Sequence, residues 1–162
     1  MPWQALVWLL GFILQSGILG VSMYQLVQLT DLEADFINPH EASKNYNRLV
    51  VPEFGAQAAL TGMMLLTGNW VLGILQLAAL AYNVQQYRLN CHLVDVTEVF
   101  RQVKPRKKAL TAKLIFNLLL FVWTVYRFIE ILVLSLVTPS GKKAARSILR
   151  DAAASLHRLK QR

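Results

Sequence analysis

Residues 54–87 read FGAQAALTGMMLLTGNWVLGILQLAALAYNVQQY, and this stretch decides the fold because it contains no charged side chain. As one straight helix it would run about 51 Å at 1.5 Å per residue, far beyond a hydrocarbon core of about 30 Å. The sequence TGNW at 67–70 lies in its middle, and Gly and Asn are residues that end helices. We therefore predict two short helices over 52–67 and 70–87, joined by a tight turn, with Pro52 in the first turn of the first helix.

Two further apolar stretches flank this hairpin. Residues 1–30 carry no charge, and Trp3–Leu29 is long enough to span a bilayer, which takes about 20 helical residues. Its length, and the lack of a basic residue before it, favour a retained helix over a cleaved signal peptide. Leu114–Val137 forms the last span. The predicted fold class is an all-α polytopic membrane protein with four transmembrane helices, the middle two a short hairpin; three spans are the alternative.

The composition agrees with burial in lipid. Of 162 residues, 55% are hydrophobic and 16% are charged, whereas a soluble domain carries about a quarter charged residues. This excludes a disordered chain and disfavours a simple soluble globule. The single cysteine, Cys91, excludes an intrachain disulfide framework, and His40, His92 and His157 are not spaced as metal ligands. We expect no metal and no cofactor.

Basic side chains are concentrated in the second half of the chain. Residues 88–162 carry all but two of the 17 Lys and Arg residues. The basic residues of this half flank apolar runs, which is typical of anchoring at a membrane interface rather than of nucleic-acid binding. The segment 88–113 and the tail after Val137 carry equal numbers and must lie on opposite sides. With four crossings, residues 30–51 lie on the same side as 88–113, and their two basic residues give that side the larger total. Because the more basic side faces the cytosol, this places 88–113 in the cytosol by a narrow margin. A cytosolic tail is the alternative.

The sequence divides into a membrane domain, residues 1–137, and a basic C-terminal tail, residues 138–162. In the tail, apolar residues such as Ile148, Leu149 and Leu156 recur at helical spacing between basic ones. This pattern predicts an amphipathic helix on a lipid surface, and a solvated, frayed tail is equally compatible with it.

Arg127 and Glu130 are charged residues inside the last span. At a spacing of three they share one helix face and can pair, and a charge in lipid usually faces protein. Two interpretations stay open: a contact for the helix of another membrane protein, and a structural or snorkelling pair. The uncharged polar residues of the spans are interpreted as interhelical hydrogen-bonding groups: Gln15, Gln25, Gln57, Thr61, Gln76, Asn83, Asn117 and Thr124.

Catalytic motifs are missing from the sequence. It contains no Gly-x-Ser-x-Gly, no His-Glu-x-x-His and no phosphate-binding glycine loop. The carboxylates Asp31, Glu33 and Asp35 form a short acidic run, which is usually a solvated face. We therefore expect that the protein is not an enzyme.

Several short blocks in one order give the chain a family resemblance. They are DLEADFINP at 31–39, VVPEF at 50–54, LLTGNW at 65–70, YN at 82–83 and HLVDVTEVF at 92–100. The chain resembles the cornichon family, most closely its plant and algal members, from about Tyr24 to Val133. The basic tail departs from the family pattern, since members usually stop soon after the last span.

This resemblance implies a transmembrane cargo receptor of the endoplasmic reticulum, which selects integral membrane proteins for export in COPII vesicles and cycles to the Golgi. The implied partners are integral membrane cargo, the cargo-binding subunit of the COPII coat and the lipid bilayer, with no nucleic acid. The alternative is an auxiliary subunit that stays with an ion channel or transporter and modulates its trafficking and gating.

The resemblance also implies a coat-contact segment in the cytosolic loop before the last span, where the family carries a hydrophobic-Phe-Arg sequence. Val99, Phe100, Arg101, Gln102 and Val103 occupy that place, although Gln102 and Val103 are not the commonest residues there. Read without the resemblance, Val99, Phe100 and Val103 form one face of a short interfacial helix that merely packs down.

Overall fold

Four long helices make up most of the chain in the computed structural model, which describes residues 2–89, 93–95, 97–138, 142–143 and 146–153. The predicted all-α architecture is confirmed, and all four helices are longer than predicted, α3 by one residue only. Their bounds are α1, Pro2–Glu33; α2, Pro39–Leu66; α3, Trp70–Arg88; and α4, Val99–Val137.

Successive helices run in opposite directions. α1 packs against both α2 and α4, while α3 packs mainly against α2. The start of α1, the turn between α2 and α3, and the end of α4 therefore lie together, at what we name the turn end. The connections at residues 34–38 and 93–95 lie at the opposite end, the loop end. The side-chain contacts that show these directions are Ser22 with Glu53, Gln57 with Gln76, Gln15 with Asn117, and Glu33 with Lys107.

Three of the helices, α1, α2 and α4, are long and apolar enough to cross a membrane. α3 is the shortest, with 19 residues, and it returns the chain alongside α2 to the loop end. Residues 34–38 and 93–95 thus share one end of the bundle, as the four-crossing prediction requires. The chain is a polytopic helical membrane protein.

The turn between α2 and α3 has the predicted position. Gly68 adopts a φ of 78°, in the left-handed region that only glycine enters readily. The N–H of Gly68 donates to the Leu65 carbonyl at 3.2 Å, and the N–H of Asn69 donates to the Met64 carbonyl at 3.0 Å. These two bonds form a Schellman motif, which ends α2 and turns the chain directly into α3.

The predicted helix start at Pro52 is wrong, because α2 begins at Pro39 and Pro52 lies inside it. The Asn38 side chain caps α2 by accepting the backbone N–H two residues later at 2.9 Å. An internal proline costs about 3 kcal/mol. Pro52 is exposed, and burial of Tyr46 and Val50 on the same helix offsets that cost, since each such side chain contributes about 1.5–3 kcal/mol.

The last helix also begins earlier than its apolar run. α4 starts at Val99 rather than near Leu114, so the predicted cytosolic loop is helical from Val99 onwards. Pro105 lies inside the helix and is exposed, while Val103 and Leu110 are buried against α1 and α2. Because this face packs against α1 and α2, the helix extends beyond the apolar segment that is needed to span the membrane.

The described part of the C-terminal tail is helical. Residues 142–143 and 146–153 are in helix, with Ile148 and Leu149 exposed. The rest of the predicted amphipathic helix, residues 144–145 and 154–162, lies outside the described residues, so the role of the tail stays a prediction.

Candidate functional site

An apolar cluster at the loop end holds the first turns of α4 in place. It joins the end of α1, the start of α2, the start of α4 and the connection before α4, and each member is at most 8% exposed. We name it the loop-end cluster; its members are Leu29, Leu32, Ala42, Tyr46, Val50, Val94, Val103 and Leu110.

Two hydrogen-bonded clamps fix the connection that leads into α4. The Asn47 amide donates to the Val94 carbonyl at 3.0 Å and accepts the Val94 N–H at 2.8 Å. The N–H and the hydroxyl of Thr97 donate to the Asp95 carboxylate at 3.0 and 2.9 Å. These bonds, the backbone one first, lower the pKa of Asp95 below its ordinary value. The direction in which α4 starts is therefore set by α2 and by the connection itself.

The predicted coat-contact segment is the first turn of α4, and its side chains point in two directions. Phe100 is 62% exposed, and Arg101 is exposed with an ion pair to Glu98 at 2.8 Å. Val103 is 3% exposed and belongs to the loop-end cluster. Val103 thus anchors the segment, while Phe100 and Arg101 remain on the surface.

Gln102 lies between these two faces. It is half-buried, and its Nε2 donates to Glu98 Oε2 at 3.3 Å, so Glu98 receives both Arg101 and Gln102. Val99 is the first residue of α4. The alternative of a short, separate interfacial helix is wrong in one respect, because the segment continues without a break into the last span.

A basic surface surrounds Phe100 and Arg101. Lys104 and Lys108 are exposed on the following turns of α4. Lys107 pairs with Glu33 on α1 at 2.7 Å, and Arg106 Nη2 donates to the Leu93 carbonyl. Cations near a membrane surface attract anionic lipid, at about 1 kcal/mol each. This end of the bundle is therefore suited to lie against a negatively charged leaflet.

Deeper in the bundle, Glu53 and Lys113 form a buried ion pair that links α2 to α4. Lys113 Nζ lies 2.7 Å from Glu53 Oε1, and the two side chains are 11% and 1% exposed. The Ser22 hydroxyl of α1 donates to the same carboxylate oxygen at 2.9 Å. Lys113 Nζ also stacks over the Phe54 ring at 5.5 Å. This pair could not be predicted from the sequence, because no local spacing joins residues so far apart.

Next to this pair, a chain of amide hydrogen bonds crosses all four helices. Gln57 Nε2 donates to Gln76 Oε1 at 2.5 Å, Gln76 Nε2 donates to Gln15 Oε1 at 2.7 Å, and Gln15 Nε2 donates to the Asn117 carbonyl at 3.2 Å. The prediction that span glutamines and asparagines bond between helices is confirmed for these four residues. In lipid such bonds fix which helix faces meet.

The other polar span residues behave differently: Gln25 Nε2 and both amide atoms of Asn83 are buried without a hydrogen-bond partner. Thr61 and Thr124 donate to carbonyls of their own helices, those of Gln57 and Leu120, so their predicted interhelical role is wrong. Hydroxyls bond back in this way because the carbonyl one turn earlier is always within reach.

Arg127 and Glu130 form the predicted pair, with Nη1 and Oε2 2.6 Å apart. The Arg127 guanidinium also lies over the ring of Trp8 on α1, 5.6 Å from its centre. Both charged side chains remain more than a third exposed. The pair is thus tied to α1 on one side and open on the other, and its role as a cargo-helix contact stays a prediction.

Taken together, the described residues define a helical membrane protein with a polar interior, a basic end and an exposed aromatic residue on that end. Among these residues, no group of three His, Cys, Asp or Glu side chains could hold a metal ion.

Comparison with known proteins places this architecture in a family. The family model of cornichon proteins matches residues 5–126. The chain is 39% identical over 126 residues to "Protein cornichon homolog 1" of rice, covering 74% of this chain and 93% of the relative. It is 40% identical over 127 residues to "Protein cornichon homolog 4" of Arabidopsis thaliana, covering 76% and 93%. It is 38% identical over 110 residues to "ER-derived vesicles protein ERV15" of Saccharomyces cerevisiae, covering 68% and 78%.

The chain therefore belongs to the cornichon family. The matched region includes α1, α2, α3 and most of α4, and the resemblance inferred from the short blocks is confirmed.

We expect that Glu53→Gln alone destabilises the protein by about 3–5 kcal/mol, because it leaves the buried Lys113 cation without its partner. The double variant Glu53→Gln/Lys113→Met should recover most of this loss, since both charges are then removed. Thermal unfolding of the full chain in detergent micelles measures the change.

The matched control is Glu33→Gln, which breaks an ion pair of the same length at an exposed position. Its unfolding midpoint should move little, because exposed pairs are screened by solvent. Equal shifts for Glu53→Gln and Glu33→Gln would show that burial does not set the strength of the Glu53–Lys113 pair.

Proposed function

We propose that this chain is a transmembrane cargo receptor, which binds integral membrane proteins in the endoplasmic reticulum and links them to the COPII coat for transport to the Golgi. Membership of the cornichon family and the name of its yeast relative, an ER-derived vesicles protein, support this function. The observation that carries the proposal is the exposure of Phe100 beside Arg101 on the first turn of α4, inside the matched region.

The geometry of this turn suits a docking peptide. A large aromatic side chain held 62% exposed by a rigid helix loses little entropy when a partner buries it. Arg101 adds a charge-assisted hydrogen bond, and aromatic and arginine side chains are the residues that dominate protein interfaces. Val103, locked in the loop-end cluster, keeps the turn from shifting when a partner binds. Phe100 and Arg101 are therefore proposed to contact the cargo-binding subunit of the coat.

The cargo side of the receptor is proposed to be the outer face of α4. Of the most apolar stretch of 18 residues in α4, only 11% is buried within the chain. Trp123 and Tyr126 are exposed there, next to the half-exposed pair of Arg127 and Glu130. An apolar face that carries one ion pair offers a cargo helix both van der Waals contact and a polar contact that marks its register.

We expect that Phe100→Ala/Arg101→Ala reduces packaging of the protein into COPII vesicles about tenfold or more, since a single interface anchor contributes about 2 kcal/mol or more. Membrane insertion and thermal stability should be unchanged, because both side chains are exposed. A vesicle-budding reaction with microsomes and purified coat measures the packaged fraction.

The matched control is Phe36→Ala/Lys104→Ala, which removes another exposed phenylalanine and another exposed cation from the same end. This control should be packaged normally. If both double variants lose packaging equally, general charge and hydrophobicity at the loop end drive packaging, and the assignment of Phe100 and Arg101 is wrong.

For the cargo contact, we expect that the charge-swapped variant Arg127→Glu/Glu130→Arg loses co-purification of membrane cargo about fivefold or more, within the range of a coupled polar contact. The swap keeps an ion pair within the helix but reverses the charges that face outward. Cargo recovery after crosslinking in intact membranes measures the effect, and full recovery would show that the pair only stabilises α4.

A further inference from the structure

A cavity of about 810 Å³ lies between α2, α3 and α4 near the loop end. It forms because α3 follows α2 and makes little contact with α4. An apolar slot of about 390 Å³ lies between α3 and α4, and both spaces are lined by Tyr82, Ala109 and Lys113. The two spaces therefore adjoin, with the polar cavity toward the loop end and the apolar slot toward the middle of the bundle.

Asn83 brings an unpaired polar group to the cavity. Asn83 is one of the residues that line the cavity, its side chain is 1% exposed, and neither Nδ2 nor Oδ1 has a hydrogen-bond partner. Gln76, two turns earlier on the same helix, is bonded on both amide atoms. Since buried amides are almost always paired, Asn83 points to an occupant that supplies hydrogen-bonding atoms.

The α4 wall of the cavity carries two cations. Lys113 is already paired with Glu53, whereas Arg106 donates from Nη2 to the Leu93 carbonyl. A guanidinium has five N–H donors in a planar fork that matches a phosphate group. The carboxylate of Asp95 at the same cavity already accepts two hydrogen bonds from its own loop. The mouth of the cavity is thus suited to a phosphate.

The slot is lined mainly by apolar side chains, and four of them are alanines. Its α3 wall contains Ala78 and Ala79, and its α4 wall contains Ala109 and Ala112. A single acyl chain is thin enough to lie along it.

We propose that the joined cavity and slot bind one glycerophospholipid from the leaflet at the loop end. The phosphate lies against Arg106, the glycerol and ester groups hydrogen-bond with Asn83, and one acyl chain fills the alanine-lined slot. The lipid bridges α3 and α4, where the protein itself makes few contacts.

The test uses the full chain, purified in detergent, stripped of lipid by exchange, and titrated with mixed micelles of the same detergent and dioleoyl phosphatidylinositol or dioleoyl phosphatidylcholine. Native mass spectrometry should show a single retained phospholipid, and the unfolding midpoint should rise with lipid concentration. Ala112→Phe should weaken retention about tenfold or more, because the phenyl ring fills the slot. Ala81→Phe places the same ring on an exposed position of α3 outside the slot and should retain lipid normally.

Asn83→Leu separates lipid binding from folding. It removes an unpaired amide, so the lipid-free protein should unfold at the same or a higher temperature, while lipid retention falls. Inorganic phosphate should produce no shift, because it lacks the acyl chain. Equal lipid retention by the parent, Ala112→Phe and Asn83→Leu proteins, or an equal shift with inorganic phosphate, would overturn the proposal. Capture of a protein rather than a lipid by a photo-crosslinker at position 112 would overturn it as well.

Discussion

The hydrocarbon core of a bilayer is about 30 Å thick, and the arrangement of this chain follows from how far its helices exceed that thickness. α1 has 32 residues and α4 has 39, which correspond to about 48 and 58 Å at 1.5 Å per residue. The apolar part of α4 lies toward the turn end, so the excess length projects at the loop end. There the loop-end cluster buries apolar side chains without help from lipid, and the first turn of α4 is held in water on a rigid base.

Inside lipid the opposite demand applies, because every polar group must find its partner within the bundle. The Glu53–Lys113 pair and the amide chain from Gln57 to Asn117 meet this demand across all four helices. Interhelical hydrogen bonds in membranes contribute about 0.6–2 kcal/mol each. Their larger effect is on register, since sliding any helix by one turn would separate several partners at once. Asn83 is an exception to this pairing, as are Gln25 Nε2 and Gln57 Oε1, and Asn83 is the one of these three that borders the cavity.

Much of the fold could be predicted from local patterns. The turn at Thr67–Asn69 follows from glycine and asparagine in the middle of an apolar run too long to span once, and the Arg127–Glu130 pair follows from spacing alone. The start of α2 shows how two local signals compete: Pro52 and Pro39 both fit the first turn of a helix, but only Pro39 follows a capping residue, Asn38. That α2 continues through Pro52 depends on the packing of Tyr46 and Val50, which involves residues from α1 and α4 and is not visible in the local pattern.

The same reason limits prediction of the site. The glutamines and asparagines of the spans were predictable as a class, but their partners were not, because hydrogen bonds such as Gln15 to Asn117 join distant parts of the chain. The direction of Phe100 required the structure too. Sequence spacing places Phe100 and Val103 on one face of a helix. In the structure, Val103 is buried in the loop-end cluster, whereas Phe100 is exposed at the surface.

Contact between Phe100 and the coat requires the loop end to face the cytosol, and a membrane-impermeant maleimide on sealed microsomes measures this orientation. In a Cys91→Ser background, Phe100→Cys places a thiol at the start of α4, and Asn69→Cys places one at the turn end. The thiol at position 100 should be labelled in sealed microsomes, while the thiol at position 69 should be labelled only after the membrane is opened. Labelling of position 69 in sealed microsomes, with position 100 protected until they are opened, would contradict this orientation.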